Sequence, residues 1–125
     1  MKLKHEKLTE NILAAAFEVS NELGNGFLES VYERALLLAL KEKGIHAESQ
    51  IPLNVIFRNQ RVGEFFADIV VENKIILELK AVKAIAPEHI AQVLNYLKAT
   101  GLAVGFLLNF GNSRLEYRRF NNLYD

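Results

Sequence analysis

Three consecutive segments decide the fold: Phe65-Phe66-Ala67-Asp68-Ile69-Val70-Val71, then Glu72-Asn73-Lys74, then Ile75-Ile76-Leu77-Glu78-Leu79-Lys80. Two apolar runs joined by a short polar stretch read as adjacent strands of a hairpin. Alternation puts Phe66, Asp68 and Val70 on one face of the first strand. On the second it groups Ile76, Glu78 and Lys80, with Ile75, Leu77 and Leu79 pointing the other way. The loop length sets what these faces do. A three-residue loop places Val71 opposite Ile75, Val70 opposite Ile76 and Asp68 opposite Glu78, with directly opposed Cβ atoms about 4.5–5.5 Å apart. A two-residue loop shifts the pairing by one and sends the carboxylates to opposite faces.

Two carboxylates that close repel one another, more so when buried, unless a cation lies between them. Mg²⁺ or Mn²⁺ suits such oxygen donors and leaves room for water and a substrate phosphate. Lys80 shares the face of Glu78 and is suited to hold an attacking water or to stabilise developing negative charge. The competing reading is a hairpin with a solvated face. Against it, the other members of that face are Phe66, Val70 and Ile76, so the charges sit among apolar side chains.

Working outward, Leu8 to Leu23 carries Leu8, Ile12, Ala15, Ala16, Val19 and Leu23 at helical spacing. Gly24-Asn25-Gly26 breaks it. A second helix is expected from about Leu28 to Lys43, and its all-apolar centre, Ala35 to Leu40, predicts deep burial. Glu48 to Phe57 is the first strand, followed by a polar turn at Arg58-Asn59-Gln60-Arg61. The hairpin strands are expected over Val62 to Val71 and Ile75 to Val82. Pro87 opens a third helix that runs to Thr100, with Gly101 beyond it. Val104 to Asn109 and Leu115 to Phe120 complete the pattern. The order ααβββαββ is a mixed α/β arrangement with a helical crossover between the third and fourth strands.

The chain has 125 residues, half of them hydrophobic, and is read as a single domain over 1–125. It has no cysteine, which excludes disulfides and thiolate metal sites. The N-terminal MKLKHEKLTE lacks an apolar signal segment, and no run approaches a membrane span, so a soluble, cytoplasmic protein is expected. Fifteen basic and fifteen acidic residues cancel. That balance argues mildly against a dedicated nucleic-acid binder, yet an acidic metal site would offset basic contacts elsewhere.

On the helices, Glu29 stands in a first turn, where an acidic side chain also meets the helix dipole favourably. Alternatively it faces inward with Tyr32 and Glu33 as a polar cluster. His89, Gln92 and Tyr96 form one stripe of the third helix, beside the apolar Ile90, Val93, Leu94 and Leu97. Gln92 and Tyr96 can reach a phosphate or bound water from that border, or simply hydrogen-bond along the helix flank. His89 reads as a surface or boundary residue. Arg114, Arg118 and Arg119, with Lys83 and Lys98, are the local basic candidates, although charge on an edge strand also blocks aggregation.

Gly26-Phe27-Leu28-Glu29-Ser30-Val31-Tyr32 resembles the motif that names the GxxExxY protein family, with Gly26, Glu29 and Tyr32 at its fixed positions. The similarity continues through Phe66-Ala67-Asp68, Glu78-Leu79-Lys80, Gln92-Val93-Leu94-Asn95-Tyr96 and Leu107-Leu108-Asn109-Phe110-Gly111. That family is placed in the PD-(D/E)XK nuclease superfamily. The resemblance implies a restriction-endonuclease-like core with a mixed central sheet flanked by helices. It implies that Asp68, Glu78 and Glu29 hold Mg²⁺ or Mn²⁺, and that Lys80 is catalytic. It also implies that Gln92 and Tyr96 match the QxxxY element of RecB-like members. Ala67 replaces the proline of the PD pair, which contributes no ligand. The activity implied is phosphodiester hydrolysis of DNA, or less favourably of RNA. The alternatives are a non-catalytic nucleic-acid or protein-interaction module, and a homodimer whose two copies together supply a substrate groove.

Overall fold

The computed structural model describes residues 4–122. Its elements are α1 (Glu6–Leu23), α2 (Glu29–Glu42), β1 (Ala47–Phe57), β2 (Gln60–Val71), β3 (Ile75–Lys80), α3 (Pro87–Thr100), β4 (Val104–Asn109) and β5 (Glu116–Asn121). The ααβββαββ order expected from the periodicities is the order found. The five strands form one sheet in the order β1-β2-β3-β4-β5. Every neighbour is antiparallel except β3 and β4, which are parallel. A parallel pair cannot be closed by a tight turn, and α3 makes the crossover.

The sheet is covered on both faces. Ile69, Val71, Ile75, Leu77 and Leu79 pack with Ile12, Ala16, Leu36 and Leu40 of α1 and α2. On the other face Ala67, Val70, Ile76 and Leu107 pack with Val93 and Leu97 of α3. The double burial explains why β3 and β4 read as unbroken apolar runs. A Cβ on Gly105 would lie 3.0 Å from Val93 and 3.3 Å from Leu97, so the missing side chain lets α3 approach β4 closely. Deep burial of the whole α2 centre is not found. Leu36, Ala39 and Leu40 are buried, but Leu38 is 59% exposed, because a helix lying on one layer hides only one stripe.

Among the described residues no helix is long and apolar enough to cross a membrane.

The loop that decides the register is the three-residue one. Glu72 and Asn73 both have positive φ, and the Lys74 N–H donates to the Val71 carbonyl at 2.9 Å. Val71 therefore pairs with Ile75, Val70 with Ile76, and Ile69 with Leu77. The turn between β1 and β2 is tighter than the four-residue segment expected. Arg58 and Asn59 alone carry the reversal, both at positive φ, and Phe57 pairs with Gln60. Two consecutive left-handed residues match the twist of a two-residue hairpin. β3 stops at Lys80 rather than Val82, because the Val82 backbone is hydrogen-bonded by the Asn109 side chain instead of a strand.

Candidate active site

The β2–β3 ladder ends at Ile69 and Leu77, one step before Asp68 and Glu78 meet. Side chains take over from there. The Asp68 N–H donates to Glu78 Oε1 at 3.2 Å, and the Leu79 N–H donates to Asp68 Oδ2 at 2.8 Å. Each carboxylate thus replaces a missing backbone rung and ties itself to the opposite strand.

Strict alternation fails here. Ala67 and Val70 both face α3, whereas Ile69 and Val71 face α1 and α2. The neighbouring strand shows the cause. Gln50 of β1 has φ 52°, and the pairing passes from Ser49–Ile69 to Ile51–Ala67 without a Gln50–Asp68 pair. Phe66, Asp68 and Val70 therefore do not share a face as the simple period predicts. Asp68 instead lines a cavity of about 140 Å³ with Glu29, Ser30 and Glu33 of α2, Gln50 and Leu79.

Glu78 is 3% exposed. Burial pushes its carboxyl up to about 8, helped by the negative charge of Asp68, while the Asp68 amide and the Lys80 ammonium pull it down. Lys80 is half-buried at the end of β3. Glu33 accepts a hydrogen bond from the Gln50 amide at 2.9 Å. Its carboxyl is also raised, first by burial, with Asp68 and Glu29 adding repulsion against the lowering by Gln50 and Arg34. Glu33 follows Glu29 by one helical turn, a spacing that puts both on the same side of α2. Glu29 itself is exposed at the rim.

From the other side of the sheet, the Gln92 amide donates to the Tyr96 hydroxyl at 2.7 Å. The Tyr96 ring stacks on Phe65 with centroids 3.8 Å apart. Its hydroxyl is held above the usual phenol range, first by burial and next by Glu78. Asp68 and Glu78 thus sit between an acidic edge of α2 and a polar pair on α3.

Asn109 was not marked by the sequence as a site residue, yet it anchors the segment after Lys80. It is fully buried and pairs with Lys80 in the β3–β4 register. Its Oδ1 accepts from the N–H groups of Val82 and Gly111, both at 3.0 Å. Its Nδ2 donates to the Val82 carbonyl at 2.9 Å and to Glu116 at 3.1 Å. At Gly111 any Cβ would collide with the Val82 backbone, so the two segments can approach only through glycine. The available signal was an asparagine closing an otherwise apolar strand.

Tyr32, His89 and Arg119 have structural partners. Tyr32 is fully buried, stacks on Phe110, donates to the Gly24 carbonyl at 2.7 Å and accepts from the Phe27 N–H at 3.2 Å. It fastens the α1–α2 connection from which Glu29 starts. His89 accepts the Ala86 N–H on Nδ1 at 3.0 Å and caps α3. Arg119 is held by the Lys4 carbonyl at 2.8 Å and by Thr9, which ties β5 to α1. Arg114 and Arg118 are exposed.

Among the described residues no three His, Asp or Glu side chains already converge as a metal cluster. The donor chemistry nevertheless fits a hard divalent cation. Asp68 and Glu78 each commit one oxygen to a backbone amide and retain a second oxygen donor. Burial chiefly raises Glu78 and the charge of Asp68 adds to it, and that second contribution, the repulsion, is the kind a cation relieves.

No curated protein matches the chain. Among solved structures, the protein SSO0001 superposes with a TM-score of 0.56 at 19% identity, over 78% of this chain and 52% of that one. The chain thus spans about half the length of that relative. An alkaline exonuclease, LHK-Exo from Laribacter hongkongensis, superposes with a TM-score of 0.53 at 14% identity, over 98% of this chain and 72% of that one. These likenesses establish the restriction-endonuclease-like α/β fold, a five-stranded mixed sheet flanked by helices. The family model of the PD-(D/E)XK nuclease superfamily matches residues 6–120, and the chain belongs to that superfamily.

Proposed function

We propose that the chain is a divalent-metal-dependent phosphodiester hydrolase acting on DNA, with RNA the less favoured substrate. The observation that carries this reading is the cross-tied pair of Asp68 and Glu78 at the end of the β2–β3 ladder, with Lys80 two residues on. Asp68 and Glu78 would hold Mg²⁺ or Mn²⁺, with Glu29 reaching it from the cavity rim. When bound, the metal supplies charge neutralisation at the scissile phosphate and lowers the pKa of bound water. Lys80 orients the attacking water and meets the negative charge that develops on the phosphoryl oxygens. Gln92 holds the Tyr96 hydroxyl so that it can donate to a phosphate oxygen. Attack forms the new P–O bond as the bond to the departing sugar oxygen breaks in line with it.

The test is cleavage of single- and double-stranded DNA and RNA with Mg²⁺ or Mn²⁺, comparing the parent chain with Lys80→Ala and Asp68→Asn. Each substitution is expected to lower kcat by at least about 100-fold, the usual effect of removing a charge-stabilising group. Equal cleavage by all three proteins would overturn the assignment. No cleavage and no heat of Mn²⁺ binding would favour a non-catalytic module on the same fold.

A further inference from the structure

Beyond Ile69, strand β2 loses its partner on one side. Gln60 to Ala67 pair with β1 alone, so the two strands continue past the sheet as a ribbon closed at Arg58-Asn59. Ribbons usually shield their apolar residues. This one leaves Ile56, Phe57, Val62 and Phe66 each more than half exposed. Its inner side and the flank of α3 enclose a groove of about 570 Å³ bordered by Val55, Ile56, Phe65, Asn95, Tyr96 and Lys98. That size lies within the range of about 300–1,000 Å³ that receives organic ligands.

Three observations identify what covers this surface. First, its charges are cationic. The Arg58 guanidinium lies 4.8 Å over the Phe57 ring, Lys98 borders the groove, and Arg61 is ion-paired at 3.4 Å with Glu64, the one acid on the ribbon, so cations remain in excess. Flat apolar surface set among cations suits a ligand with flat rings and anionic links. Second, a symmetric second copy joined at the ribbon tips would bring Arg58 and Arg61 against their own counterparts. Third, the groove is bordered by Tyr96, whose ring stacks on Phe65 and whose hydroxyl, held by Gln92, is the one that the hydrolase reading aims at a phosphate.

The geometry points to an unpaired nucleic-acid strand as the occupant, its bases against Ile56 and Phe57 and its phosphates toward Arg58 and Arg61. This rests on the hydrolase reading and deepens it, since it assigns single-stranded segments or ends as the substrate class. Duplex bases are stacked on one another and present only their edges, whereas the exposed ring of Phe57 requires a free base face.

Fluorescence anisotropy in EDTA tests this without cleavage, using labelled 12-mers of dT, of rU, and a blunt duplex of equal length. The parent chain is expected to bind a single strand about tenfold more tightly than the duplex. The better of dT and rU then identifies the sugar. Phe57→Ala is expected to weaken single-strand binding about tenfold. Arg58→Ala with Arg61→Ala is expected to reduce the salt slope by about 1.4, at about 0.7 per cation removed. Circular dichroism checks that each variant is folded. Equal affinity of all folded variants, equal or tighter binding of duplex, absence of binding, or self-association lost in Arg58→Glu would each overturn the proposal. Failure here differs from failure of the hydrolase reading. If Lys80→Ala and Asp68→Asn abolish cleavage while ribbon variants bind as the parent does, only the ribbon assignment falls.

Discussion

Replacing Glu78 by glutamine should flatten the dependence of stability on pH. Glu78 titrates near 8 in the folded chain against an ordinary value of 4.5, because it is buried beside Asp68. Between those values the native state holds a proton that the unfolded chain has released, so stability falls as pH rises and levels off above about 8. At about 1.4 kcal/mol per pH unit the full displacement corresponds to a ceiling of about 5 kcal/mol, with about 3 kcal/mol already lost at pH 7. Relaxation and water entry would reduce this, and about half the ceiling is a reasonable expectation. Glutamine keeps an oxygen to accept the Asp68 N–H and carries no charge. Urea unfolding from pH 5 to pH 9 should therefore give a falling curve for the parent and a flatter one for Glu78→Gln, the two diverging progressively from pH 5 to about pH 8. Excess Mg²⁺ should raise the parent most at the alkaline end, where the proton no longer competes. Parallel curves for parent and variant, without Mg²⁺, would refute the burial argument.

Asn109→Leu should strip partners from both polar groups of the Val82 backbone and from the Gly111 N–H. The expected cost is about 3 kcal/mol or more in urea unfolding, with a fall in kcat rather than a rise in KM as Lys80 loses its anchor. Tyr32→Phe leaves the Gly24 carbonyl and Phe27 N–H unmatched. It should cost about 1–2 kcal/mol, seen as a Tm lower by about 5 °C in calorimetry. Gly105→Ala should push Val93 and Leu97 away from β4 and destabilise by about 1–3 kcal/mol, with α3 the first helix to lose hydrogen-exchange protection.

Much of the fold was legible because its two periods are distinct. The apolar runs on either side of Glu72-Asn73-Lys74 marked the hairpin, and the three-residue loop, one of the two lengths the sequence allowed, gave the register that brings Asp68 toward Glu78. What escaped was decided elsewhere in the chain. Alternation is a property of one strand, but the break at Asp68 accompanies the left-handed backbone of Gln50 on the next strand. The Asn109 anchor was hidden for a similar reason: its partners at Val82 are 27 residues away in sequence. Leu38 was misread because an apolar centre does not reveal how many layers a helix meets. The ribbon was underestimated because Gln60 and Arg61 are polar, although two left-handed residues were enough to turn the chain and leave both in the strand.

The cross-tie of Asp68 and Glu78 has a consequence for how inactive relatives of this chain should look. On the proposed hydrolase reading, a lineage released from the need to cut nucleic acid would still need acceptors for the Asp68 and Leu79 amides. Alanine at either position opens the sheet where it is already one rung short, whereas asparagine or glutamine preserves the closure. Selection on folding alone would therefore tolerate the amides and reject small apolar residues. Drift at these two positions would remove the chemistry while leaving a near-isosteric trace of it, and an acid retained at both would mark a site still under selection for its charge.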